Sequence, residues 1–68
     1  MNEDTFNMQV RRFLKKVGIN SQREIDNAVR EAIASGALDG SEILNASVTL
    51  QIAQLGLKVE INDTIGLE

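Results

Sequence analysis

The hydrophobic positions of the chain recur first at helical spacing and then, in the later part, in alternation. Two stripes of apolar residues follow the three- and four-residue steps of an α-helix. They predict a helix over about residues 5–17 and a second over about residues 22–35. The first stripe comprises Phe6, Val10, Phe13, Leu14 and Val17. The second comprises Ile25, Ala28, Val29, Ala32 and Ile33. Both stripes are expected to be buried.

Capping residues set the predicted ends of these helices. Asp4 or Thr5 is expected to cap the first helix, and Gly18 is expected to end it. Ser21 can cap the second helix, and Glu24, three residues on, can close a capping box. Two helices with so short a connection run back against each other or cross steeply. The sequence therefore predicts an N-terminal helical hairpin.

The alternating part of the chain predicts antiparallel strands with one buried and one solvated face. The strands are expected over about residues 46–53 and 57–62, joined by a four-residue loop with Gly56 in the left-handed conformation. The apolar residues of both strands share one face only if Ile52 pairs with Leu57, Leu50 with Val59 and Val48 with Ile61. In this register Leu50 and Val59 are expected to be buried neighbours.

A third short strand over about residues 65–67 is left open. A three-residue turn at residues 62–64 would set Ile65 opposite Ile61 on the same buried face. The predicted fold is α+β, with the helical hairpin packed on one face of a two- or three-stranded antiparallel meander. We expect two layers and a single domain over residues 1–68.

Composition narrows the class of function. The chain has 68 residues, no cysteine and no histidine. It therefore offers no disulfide, no thiolate zinc site and no imidazole base. No acid–base pair is evident either, so we expect no enzyme activity, no catalytic residue, no cofactor and no metal site. So small a domain is often supplemented by self-association, which this composition allows.

The predicted location is the cytoplasm. No apolar run approaches the ~20 residues of a membrane span. The start of the chain is acidic and polar, unlike a signal peptide. We expect no membrane association.

Basic residues are concentrated on the predicted first helix, whereas the chain as a whole has a net charge of -3. With one apolar neighbour they form a candidate partner or nucleic-acid surface: Met8, Arg11, Arg12, Lys15 and Lys16. A solvated outer face is the simpler interpretation, because no aromatic residue interleaves the cations and the rest of the chain is acidic. A weak nucleic-acid-binding domain that uses the basic face of the first helix is the alternative. Its natural form, a helix–turn–helix at Gly18, fits the sequence poorly because the second predicted helix is net acidic.

The first predicted strand has a second candidate surface, because in a meander it pairs on one side only. Charge, proline or a bulge usually protects such an edge. The chain has no proline, and Ser47, Thr49 and Gln51 are uncharged. These three residues form a candidate edge-strand interface for a second copy or a peptide partner. In the alternative, residues 37–43 fold back and cover the edge.

Several segments resemble those of a family of short bacterial proteins of unknown function. After the MNED start they are Phe6-Asn7-Met8, Phe13 to Gly18 (FLKKVG), Ser21 to Ile25 (SQREI), Leu55-Gly56-Leu57 and Val59-Glu60-Ile61. The resemblance covers nearly the whole chain and implies no activity, ligand or site. The expected function is thus a small, uncharacterised, non-enzymatic protein-interaction module. Its partner is an unknown protein or a second copy.

Overall fold

The computed structural model describes residues 1–68 and contains one α-helix and one β-hairpin, whose loop includes a short 3-10 helix, Ala53–Leu55. Helix α1 spans Glu3–Ala34, strand β1 spans Ile43–Ile52 and strand β2 spans Leu57–Gly66. The chain divides into two compact units, Met1–Ala37 and Leu38–Glu68. The first unit contains α1, and the second contains the two-stranded antiparallel sheet. The fold class is α+β, as predicted.

One continuous helix of 32 residues replaces the predicted helical hairpin. Gly18 and Ser21 are both helical, so the expected turn and the capping box of Ser21 and Glu24 are absent. Glycine in a helix interior costs about 0.5–1 kcal/mol relative to alanine. With no proline nearby, that cost is too small to end a long amphipathic helix. The prediction of two helices is therefore wrong.

The N-cap of α1 is Asn2 rather than Asp4 or Thr5. The Asn2 Oδ1 atom accepts a hydrogen bond from the Thr5 N–H at 3.0 Å. Glu3 and Asp4 then occupy the first turn, where carboxylates suit the positive end of the helix dipole. Just beyond the other end, Gly36 has a φ of 81°, in the left-handed region typical of helix termination.

The predicted strand register is confirmed, and both strands extend farther than expected. Leu50 lies opposite Val59, and the pairing continues without interruption to Ile43 and Gly66. The loop matches its prediction as well, since Gly56 has a φ of 61°.

The predicted third strand is absent, because residues 62–64 continue β2 instead of turning. Ile65 consequently lies opposite Leu44 rather than Ile61. The segment has no glycine to take the left-handed position of a three-residue hairpin turn, whereas the longer β1 offers it continued pairing.

No side chain in the chain is buried. On α1, Phe6, Phe13 and Leu14 are 52%, 50% and 53% exposed. On the hairpin, Leu50 is half-buried and Val59 is exposed, so the expected burial of this pair is not observed. A lone helix and a two-stranded sheet each lack a second layer within their own unit. Neither unit therefore covers its apolar surface with its own residues.

Candidate interaction surfaces

Helix α1 carries one continuous stripe, apolar except for Ser21, rather than two separate ones. Because the helix continues past Gly18, Val17, Ser21 and Ile25 follow one another in four-residue steps along one side. The half-buried residues of α1 all lie on this stripe: Val17, Ser21, Val29 and Ala32. From Phe6 to Ala32 the stripe is about 39 Å long at the usual helical rise. It is the largest apolar feature of the first unit.

The basic residues lie on the side of α1 opposite the stripe. Met8, Arg12, Lys15 and Ile19 follow steps of four, three and four residues and so share this side. A shallow depression is lined there by Arg12, Lys15, Lys16, Ile19 and Asn20. The chain's one ion pair joins Arg30 Nε to Asp26 Oδ2 at 3.0 Å, so Arg11, Arg12, Lys15 and Lys16 form none.

Ile19 lies on this basic side, although the sequence pattern did not identify it as a candidate residue. It is 49% exposed and lines the depression beside Lys15 and Lys16. Its spacing from Met8 was visible, but the interpretation of Gly18 as a helix end placed Ile19 in a linker. Met8 is 59% exposed, close to the 52% of Phe6 on the stripe, so exposure does not single it out.

The two faces of the hairpin differ sharply in polarity. The apolar face is formed by Leu44, Ala46, Val48, Leu50, Ile52, Leu57, Val59, Ile61 and Ile65. Asp63 is the one charged residue on this face. The opposite face is polar except for Ile43 at its end. Apart from the two strands, the second unit contains only a short 3-10 helix, Ala53–Leu55, in the connecting loop, and no α-helix or further strand that could cover the apolar face.

A backbone hydrogen bond fixes which amides of β1 point to its free edge. The Leu67 N–H donates to the Glu42 carbonyl oxygen at 3.1 Å, one step beyond the paired strands. Antiparallel ladders alternate hydrogen-bonded and non-hydrogen-bonded pairs, so every second residue of β1 from Glu42 bonds toward β2. The amides of Ser47, Thr49 and Gln51 therefore point outward, to the free edge.

The outer edge of β2 is better protected than that of β1. It carries the charged residues Lys58 and Glu60. The outward N–H of Thr64 already donates to Asp63 Oδ1 at 2.7 Å. Charge and a satisfied donor are both features that discourage strand addition. Of the two edges, β1 is the open one.

The segment before β1 is closed on itself and does not cover the edge. The Glu42 carboxylate accepts from the N–H groups of Asp39 at 2.9 Å and Gly40 at 3.0 Å. Asp39 Oδ1 accepts from the Ser41 hydroxyl and from the Ser41 N–H at 2.8 Å. No backbone hydrogen bond joins residues 38–41 to β1, and Ile43 is itself part of the strand. The alternative in which residues 37–43 cover the edge is therefore wrong.

The shifted titratable groups are both on the surface. Hydrogen bonds from Ser41 lower the pKa of Asp39, and the hydrogen bond to Asp26 raises the pKa of Arg30. Each shift has a local structural cause: a closed turn in the first case and a helical i, i+4 pair in the second.

No group of three or more histidine, cysteine, aspartate or glutamate residues is arranged to hold a metal ion. No helix of the chain, α1 included, contains an apolar stretch long enough to cross a membrane.

Comparison with known proteins places the chain in a family. Neither the curated proteins nor the solved structures contain a significant match. One family model matches residues 1–68, in agreement with the resemblance seen in the sequence. The chain therefore belongs to DUF6494, a family of unknown function.

Proposed function

We propose that the chain is a non-enzymatic protein-interaction module that acts by self-association. The observation that carries this proposal is that neither unit buries its own apolar surface, because one is a lone helix and the other a two-stranded sheet. A two-stranded hairpin is at best marginally stable by itself in water. Contact with further polypeptide supplies the missing burial, and a second copy is the partner that is present whenever the chain is.

The apolar face of the hairpin is large enough to reward association. Ile61 is 57% exposed and Val48 is 45% exposed. Covering a large aliphatic side chain contributes about 1.5–3 kcal/mol when it goes from fully exposed to fully buried. Several such residues on one face can therefore offset the entropy lost when two chains associate.

The chemistry of the charged residues supports a role without catalysis. Asp39 and Arg30, whose pKa values are shifted, are engaged in a loop turn and a helical ion pair. Neither faces another titratable group across an enclosed cleft, which is the arrangement expected of an acid–base site. We propose a cytoplasmic location because the chain has no cysteine, which suits a reducing compartment.

Sedimentation of the full chain, from a few micromolar to several hundred micromolar, tests the proposal. We expect the weight-average mass to rise above that of the 7.5 kDa monomer. Ile61→Gln should weaken association at least tenfold because it places a polar group on the apolar face. Asn62→Gln is the matched control on the polar face and should leave association unchanged. A chain that stays monomeric throughout overturns self-association.

A weak nucleic-acid-binding role is the second candidate. It is favoured by the four cations on one side of α1, none of which is held in an ion pair. The helix–turn–helix form of this idea is excluded, since residues 18–21 are helical. The form of nucleic-acid binding that is still consistent with the structure is contact between the basic side of α1 and backbone phosphates, without sequence-specific contacts to the bases.

A further inference from the structure

Strand β1 has an open edge along its whole length. It contains ten residues and is hydrogen-bonded only to β2. The bond between Leu67 and Glu42 sets the alternation, so the outward N–H and C=O groups belong to Ile43, Asn45, Ser47, Thr49 and Gln51. None of these five residues is charged, and neither a proline nor a break in register protects them. Such an edge can accept another strand.

We propose that the accepting partner is β1 of a second copy, paired antiparallel about a two-fold axis that passes beside Ser47. This inference rests on the proposed self-association and adds the β1 edge to the apolar face as a second contact surface. In this register Ser47 faces its own counterpart, Asn45 faces Thr49 of the second copy, and Ile43 faces Gln51. All five outward residues then form hydrogen bonds, whereas a shift by two residues in either direction leaves at least one of them unpaired.

The same register extends the apolar face. A two-fold axis perpendicular to the sheet keeps the two apolar faces on the same side. Leu44 is then beside Leu50 of the second copy, and Ala46 is beside Val48. These are non-hydrogen-bonded pairs, in which side chains approach most closely. The result is a four-stranded sheet of order β2-β1-β1-β2, which passes the three-strand threshold for independent stability.

The alternative pairing through β2 is less favourable. Its edge carries Lys58 and Glu60, and the outward N–H of Thr64 is already bonded to Asp63. Strand addition there would leave the ladder with one donor missing on each copy or break the existing bond. The β1 edge meets neither obstacle, and no charge of one copy meets a like charge of the other across it.

Single-cysteine variants of the full chain test the register. The chain has no cysteine, so any disulfide must join two copies. Ser47→Cys should cross-link under mild oxidation, because the paired Cα atoms would be about 5.5 Å apart, within the range that disulfides span. Thr49→Cys is the matched control, since the two copies of that residue would be about 14 Å apart along the strands. Asn62→Cys is the control on the β2 edge.

We expect Ser47→Cys to form disulfide dimers at least tenfold faster than either control, as followed by mass spectrometry under non-reducing conditions. A mixture of Asn45→Cys and Thr49→Cys should also cross-link faster than either variant alone. Equal rates for Ser47→Cys and Thr49→Cys, or fastest cross-linking of Asn62→Cys, would overturn the edge pairing. If the wild-type chain nonetheless self-associates in sedimentation, the proposed function stands without it. A strictly monomeric wild-type chain would overturn both.

Discussion

Asp63 lies directly opposite Ala46, so the one carboxylate on the apolar face of the hairpin stands beside the smallest side chain of that face. Its Oδ1 atom also accepts the Thr64 N–H at 2.7 Å, at the outer edge of β2. A single residue thus interrupts the apolar face and satisfies a donor on the second edge. Both effects limit how many copies can add to the sheet.

Replacing Asp63 should therefore promote uncontrolled association. Asp63→Ala removes the charge and frees the Thr64 N–H, so we expect species larger than the wild-type assembly at the same concentration. Asp63→Asn removes the charge but keeps an oxygen that can accept the bond, and should have an intermediate effect. Sedimentation velocity would measure both. If Asp63→Ala has the same mass distribution as the wild type, Asp63 does not protect the edge.

The continuity of α1 is testable at Gly18. The residue is helical, and a Cβ atom added there meets nothing within 4 Å. Gly18→Ala should therefore increase the free energy of unfolding by about 0.5–1 kcal/mol, as alanine does in helix interiors. Urea unfolding followed by circular dichroism would measure the change.

Gly36→Ala is the matched control for Gly18→Ala. It also meets open space, but its φ of 81° disfavours any residue with a Cβ atom, so the free energy of unfolding should fall. Two helices joined by a turn at Gly18 would predict destabilisation by both substitutions. Opposite signs would distinguish the continuous helix from that hairpin.

The sequence was sufficient for the strand register but not for the helix. Period-two alternation is strict, and a slip by one residue would expose the whole apolar row, so Leu50 could only face Val59. At Gly18 two local signals competed. The Ser21–Glu24 spacing favoured a new helix, whereas the four-residue steps from Val17 through Ser21 favoured continuation. The helix continues through Gly18 because a single glycine in its interior destabilises it only slightly.

The open edge of β1 could not be predicted from local sequence patterns alone, because it depends on contacts between residues far apart in the chain. Whether residues 62–64 turn depends on what β1 offers as a partner, and the length of β1 could not be read from its own alternation. The direction of the Ser47 amide likewise follows from the bond between Leu67 and Glu42, 25 residues apart by their numbers. The sequence alone identified the uncharged residues of the edge, but the direction of their backbone amides could be determined only from the paired hairpin.

The turn before β1 should respond to acid through Asp39. Hydrogen bonds from Ser41 favour the carboxylate, so the pKa of Asp39 is lowered from its usual range. The stabilisation is therefore present above the usual aspartate pKa, and is lost as pH falls through the lowered value. Ser41→Ala should raise the pKa of Asp39, as measured by carboxyl-carbon NMR titration. Ser35→Ala is the control, because its hydroxyl donates to Ala32 instead. An unchanged Asp39 titration in Ser41→Ala would contradict this cause.

The basic side of α1 offers the clearest separation of the two candidate functions. Non-specific binding to nucleic-acid phosphates at physiological salt typically has a dissociation constant of about 1–100 μM. The acidic remainder of this chain opposes such binding. We expect fluorescence polarisation with duplex DNA to show no complex tighter than ~100 μM. Changing Arg11, Arg12, Lys15 and Lys16 together to Gln should leave self-association intact, because these side chains lie on α1 and the proposed pairing is through β1. A tight complex that weakens with salt, with a log–log slope of about −0.9 per phosphate, and that this variant loses, would favour nucleic-acid binding.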